Sequence, residues 1–348
     1  MSENNGQPSV VKTLKEFNST IGLLTLEDRK NIVEQAILLM EQLYVHLPLK
    51  SAIHGVDPVR QLKIVRRRLD ELTQDKLIPE INFHKEMLDI FTSLRDGHTN
   101  YMLPKPFSYY YAVLPFLVES YVDKDDNTHF LVTQIGFPDW LNVPSNLRQS
   151  FPPTFKVGVE IEYWNGVPIH RAVDINANKN YGSNPSARFA RGLEAMTIRP
   201  MSLSLPPEEE WVVIGYLTED GKGSEFRLEW TVVSPIFENV DTGRSSKAKY
   251  AYRTGIDLTT DLVRKMKQTL FAPKDVMASA RQLARGKVEE QMTTTADGLN
   301  TVFKQWFRAK KISDNIGYIR IFTFAAEDVN VNYLVDEFSR LIMQLPKK

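Results

Sequence analysis

The chain has 348 residues, enough for two or three domains with a sizeable core, and its 42% hydrophobic and 25% charged residues match an ordinary globular protein. Its 43 basic residues balance 43 acidic ones, which removes any general attraction to nucleic acid or anionic lipid. With no cysteine there is no disulfide, no thiolate metal site and no cysteine nucleophile.

Residues 1–8 are polar and acidic, without the apolar run of a secretory signal. No stretch approaches the roughly 20 apolar residues of a membrane span. A soluble chain with no visible export signal is expected, in a compartment the sequence leaves open. Residues 1–22 read as a flexible leader. Thr25 ahead of Glu27 and Asp28 marks a helix start, and Ile32, Ala36, Leu39, Met40 and Leu43 follow at helical spacing. A second helix follows Asp57-Pro58, with Val59, Leu62, Val65, Leu69 and Leu72 on one face, and a third spans about 82–93. Together they predict a helical domain over 23–106 that ends at the turn Arg95-Asp96-Gly97-His98-Thr99.

Beyond Pro106 the pattern becomes aromatic and β-branched. Strands are expected over 109–122 and 128–135, with Asp123 to Asn127 as the turn between them. The run 155–169 reads as strand, tight Asn165-Gly166 turn, strand. A short helix is expected over 186–198, and strands over 211–217 and 225–233 flank Asp220-Gly221-Lys222-Gly223. The region 107–240 is therefore an antiparallel β module. Residues 241–310 read as an insertion or loop-helix segment with a helix over about 258–270. Ile316 to Phe322 is a β run of buried character, followed by a helix carrying Tyr333, Leu334, Phe338, Leu341 and Ile342.

Three pieces resemble the tail-specific (C-terminal-processing) serine peptidase family. They are Leu94-Arg95-Asp96-Gly97-His98-Thr99 with Leu114-Pro115-Phe116; Val157-Gly158-Val159-Glu160-Ile161 with Trp164-Asn165-Gly166-Val167-Pro168; and Ile316-Gly317-Tyr318-Ile319-Arg320-Ile321. The second is similar to the signature of a PDZ-like module, with Glu160 where that signature has Asp. The resemblance implies an α+β multidomain fold: an N-terminal helical domain, a PDZ-like antiparallel module, and over 311–348 the first strand and helix of a crotonase-like α/β protease core. It implies a serine-type endopeptidase acting on protein or peptide substrate without metal or organic cofactor, with His98 as general base. The family's nucleophilic serine, its acidic orienting residue and, in dyad members, the lysine would fall beyond Lys348, so this stretch alone is expected to be inactive. An incomplete core is expected to expose Ile319, Ile321, Phe338 and Leu341 and to favour self-association. The alternative is a non-catalytic protein that binds peptides or apolar ligands through the helical and PDZ-like parts.

Other signals read as structural. Asp123, Asp125 and Asn127 mimic a calcium loop, but Thr128 and Gln134 stand where the glycine and bidentate glutamate belong. Ser246-Lys247-Ala248-Lys249 fits S-x-x-K within a lysine-rich stretch. Gly221-Lys222-Gly223 has Phe226 in place of the third glycine of a dinucleotide loop. Asn18-Ser19-Thr20 is a glycosylation acceptor pattern that has meaning only on secretion. Arg60, Lys63, Arg66, Arg67 and Arg68 form a basic helical face expected to pair with Asp70 and Glu71 rather than with nucleic acid. His46, His54, His84, His129 and His170 lack metal-ligand spacing.

Overall fold

The computed structural model describes residues 10–137, 141, 143–234, 263, 266–267, 270–271, 299–301, 303–304, 306–322 and 329–346. They fall into two compact units divided at residue 240.

Among the described residues the first unit has five α-helices up to Ser93: α1 Leu14–Asn18, α2 Leu26–Gln42, α3 Leu47–His54, α4 Pro58–Asp70 and α5 Glu80–Ser93. Their boundaries follow from capping chemistry. Thr25 and Asp28 exchange side-chain and backbone hydrogen bonds as a capping box at the start of α2. The Asp57 carboxylate accepts the Arg60 N–H ahead of Pro58, and Gly55 ends α3 in the left-handed region at φ 64°. Val33, Ala36 and Met40 of α2, Leu62, Val65 and Leu69 of α4, and Phe83, Met87 and Ile90 of α5 bury into one core. Helix α3 was not expected, because Leu49 and Ile53 face solvent and leave no apolar stripe to read.

Ten strands complete the unit: β1 Val10–Thr13, β2 Tyr111–Val113, β3 Phe116–Val122, β4 Thr128–Ile135, β5 Glu160–Trp164, β6 Val167–Pro168, β7 Ile198–Pro200, β8 Trp211–Leu217, β9 Gly223–Glu229 and β10 Thr231–Ser234. Two helices, α6 Ile169–Asn178 and α7 Pro185–Glu194, lie between β6 and β7 in sequence. A four-stranded sheet has the order β1-β10-β2-β7, and a second sheet runs β3-β4-β5-β8-β9 with β6 paired to β5. All pairings are antiparallel.

This arrangement corrects several expectations. The leader does not extend to residue 22: Val10–Thr13 pairs with β10, and Leu14 and Phe17 of α1 are buried. The expected boundary at 106/107 does not divide the packing, since β1 shares a sheet with β10, β2 and β7, and residues of α2, α4 and α5 share a core with Ala112, Phe116 and Ile161. The strand expected over 109–122 breaks at Leu114-Pro115, where the chain leaves one sheet for the other. Proline has no N–H for a ladder, and here its carbonyl accepts the Gly136 N–H instead. The strand expected over 225–233 breaks in the same way at Trp230. Ile169 opens helix α6 rather than continuing a strand. The Asn165-Gly166 turn is as read, with φ of 51° and 75°, the two positive values of a type I′ hairpin.

In the second unit β11 Phe307–Ser313 and β12 Ile316–Ile321 form a hairpin, followed by α8 Val331–Gln344. Phe303, Trp306, Phe307, Leu334 and Leu341 are its buried cluster. Strand β12 is not the buried strand expected: Ile316 is exposed, and among the described residues β12 pairs with β11 alone. Its partner β11 starts inside the stretch read as an insertion, at Phe307. Nor are the four apolar residues expected at the surface open to water. Leu341 is fully buried, and Ile319, Ile321 and Phe338 pack against the cluster, while Ile312, Ile316, Val335 and Met343 are exposed instead. Described positions within 263–271 are helical, on the helix expected over 258–270. Ser246 to Lys249 and most of 241–310 lie outside the described residues. No helix among the described residues is long and apolar enough to cross a membrane.

Candidate active site

The turn after α5 is built from contacts that arrive from distant parts of the chain. Arg95 adopts φ 52°, an uncommon conformation for a side-chain-bearing residue. Its carbonyl accepts a hydrogen bond from Lys50 Nζ at 3.1 Å, and its guanidinium donates to the Asn178 carbonyl at 3.3 Å. Asp96 Oδ1 accepts the His98 backbone N–H at 2.9 Å, closing an Asx turn, and Oδ2 accepts the Tyr44 hydroxyl at 2.8 Å. Asn100 Nδ2 donates to the Gly97 carbonyl at 3.2 Å. A Cβ on Gly97 would stand 3.5 Å from the Arg191 guanidinium, which donates in turn to the Tyr181 carbonyl.

The turn thus fixes the backbone of His98 and leaves its imidazole free. The ring is 62% exposed, and Nδ1 lies 4.0 Å from Asp96 Oδ1, beyond hydrogen-bonding distance. Asp96 therefore shapes the turn rather than the tautomer. No side chain among the described residues hydrogen-bonds the ring. Burial works to raise the Asp96 carboxyl, but the His98 N–H, the Tyr44 hydroxyl and the Lys50 charge together hold it below its ordinary value. Tyr44 is pushed up by burial and by its bond to Asp96. Close by, burial and the charges of Lys50, Arg95 and Arg188 hold His54 down, and burial with Arg188 lowers Arg95. An exposed imidazole on a fixed backbone can take a proton from a hydroxyl brought to it.

A buried polar network anchors the chain just past the histidine. Tyr101 Oη and His84 Nδ1 are 2.8 Å apart, His84 Nε2 is 3.4 Å from Glu80 Oε1, and Glu80 Oε2 accepts the Leu24 N–H at 2.6 Å. His84, Glu80 and Arg29 are all buried, and desolvation holds the His84 imidazole below its ordinary value against the opposing pull of Glu80. Sequence reasoning set His84 aside as lacking ligand spacing. The signal that could have found the network is Glu80 and His84 at i, i+4 on a helix whose other facing residues are apolar.

The remaining sequence candidates resolve into structural roles. His129 lies between Glu160 Oε1 at 2.5 Å and Asp123 Oδ2 at 3.0 Å, with Tyr121 stacked on its ring. The longer carboxylate at 160 thus reaches across from β5 to β4. Asp123 Oδ1 accepts the N–H groups of Asp125 and Asn127, as a turn requires. The basic face of α4 is paired, with Arg66 to Asp70, Arg67 to Glu71, Arg68 to Glu86 and Lys63 to Glu41. Among the described residues no group of three His, Asp or Glu side chains could hold a metal ion.

No protein-family model and no curated protein matches the chain. Among solved structures, the chain is similar to mature CPAF, at 17% identity and a TM-score of 0.44, over 59% of this chain and 34% of that one. It is also similar to mature CPAF complexed with lactacystin, at 18% identity and a TM-score of 0.43. A point mutant of CPAF matches at 17% identity and a TM-score of 0.43. The chain thus spans about a third of the length of these proteins.

Proposed function

We propose that this chain is the N-terminal part of a serine-type endopeptidase of the tail-specific kind, with His98 as its general base. The observation that carries the reading is an imidazole turned to solvent from a backbone pinned by Tyr44, Lys50 and Asp96. In this reading His98 accepts the proton of a serine hydroxyl supplied by sequence beyond Lys348, and returns it to the leaving amine. The sheet β3-β4-β5-β8-β9 with α6 and α7 acts as the PDZ-like module that positions a protein or peptide substrate. The hairpin β11–β12 and α8 begin the crotonase-like core. The stretch up to Lys348 is inactive by itself.

The test is to expose this chain and its longest natural reading frame to a fluorophosphonate label and an unstructured protein substrate. Labelling and cleavage by the longer form alone, lost in His98→Ala, support the assignment. No labelling of either form favours the second reading, a non-catalytic peptide- or ligand-binding protein.

A further inference from the structure

Beside α6 and the β5–β6 hairpin the first unit holds a cavity of about 190 Å³ that the peptidase reading does not use. Trp164, Trp230, Met196 and Val212 form its apolar walls, and Arg199 of β7 lines it as well. The Arg199 guanidinium lies over the Trp230 ring at 5.0 Å, and Nε donates to the Ala195 carbonyl at 3.0 Å, at the C-terminal cap of α7. That contact occupies one nitrogen. Among the described residues neither Nη nitrogen has a hydrogen-bond partner, and Arg199 forms no ion pair.

Both carboxylates on the cavity lining have partners on that same lining: Glu208 pairs with Lys179 at 3.2 Å, and Glu209 accepts Asn165 Nδ2 at 2.5 Å. Desolvation pulls Arg199 down to about 10, against the opposite pull of the Glu208 and Glu209 charges. Arg199 is half-buried, and a single ligand can meet both its Nη nitrogens and the apolar wall beside them.

We propose that this cavity binds a small monocarboxylate with a compact apolar body, its carboxylate on the Arg199 Nη nitrogens and its body against the apolar wall that includes Trp164 and Trp230. The guanidinium fork matches a carboxylate in geometry and charge. The volume sets the size: a cavity of ~150 Å³ admits benzene, so this one takes a single ring bearing one acidic group. Glu208 and Glu209 set the charge, since a second negative group on the ligand would face them.

The experiment is ligand-observed saturation-transfer NMR on the full chain with benzoate, benzamide and phthalate as probes. Benzoate binds, and benzamide and phthalate bind at least about tenfold more weakly, because an uncharged group loses the charge-assisted bond and a dianion meets the acidic wall. Arg199→Met weakens benzoate by about tenfold or more. Should that variant unfold, Glu208→Gln serves instead: the side chain is 72% exposed, so the fold tolerates the change, and losing its charge tightens benzoate severalfold. Benzamide binding as tightly as benzoate, no transfer to benzoate at millimolar concentrations, or weaker benzoate binding in Glu208→Gln overturns the proposal. None of these outcomes depends on whether His98 is catalytic.

Discussion

Asp96 and His98 are neighbours in the turn, yet they contribute differently to the protein. The Asp96 carboxylate satisfies two donors from a largely buried position, whereas the His98 ring bonds no side chain among the described residues. Asp96→Ala is therefore expected to lower stability by about 1–3 kcal/mol, while His98→Ala stays within about 0.5 kcal/mol of the parent in urea unfolding. An equal loss in the two variants would show that the imidazole has a structural partner. His129 offers a pH-dependent counterpart. Asp123 first, then Glu160, raise its pKa above the ordinary 6.5, with Tyr121 stacked beside them. A raised folded pKa gives stability that is complete below 6.5 and lost as pH climbs through the folded value. The unfolding temperature of the parent should accordingly fall over that rise, and His129→Gln should flatten this part of the profile. The histidine of the turn was legible from Asp96-Gly97-His98. Tyr44, Lys50 and Arg95 were not, because their bonds join residues 45 to 83 positions apart and no local pattern encodes them.

The elements show the same division between local and distant information. Helices α2, α4 and α5 and the hairpins β5–β6 and β8–β9 were readable because caps, periodicity and a type I′ turn are written within a few residues. The strand breaks at Pro115 and Trp230 were not, since a change of sheet depends on which partner waits at the other end. Helix α6 escaped notice because it follows β6 directly, and its first residue, Ile169, closes a run that reads as strand. Its packing on α7 depends on Gly192. A Cβ there would meet the Ala177 backbone at 2.7 Å, and the Gly192 carbonyl accepts Asn176 Nδ2 at 2.6 Å. Gly192→Ala should therefore destabilise the protein by about 1–3 kcal/mol despite alanine's better helix propensity. A stabilised variant, read from the urea midpoint, would mean that the two helices can separate without loss.

At the scale of the whole molecule, the first unit is a helical layer and two antiparallel sheets built over a shared core. The sequence suggested separate helical and β parts because its patterning changes after Pro106, but β1 and α1 link the parts by pairing and burial. The second unit is a hairpin and a helix over a small aromatic cluster. Within this architecture the peptidase reading makes one demand: the turn that carries His98 must serve a nucleophile. The most direct measurement is the rate of fluorophosphonate acylation of the longest natural reading frame, with and without His98→Ala. The account predicts acylation of the parent, slowed by about 10³-fold or more in His98→Ala at an unchanged unfolding temperature. Equal rates for the two proteins, or no acylation of the parent, would contradict it.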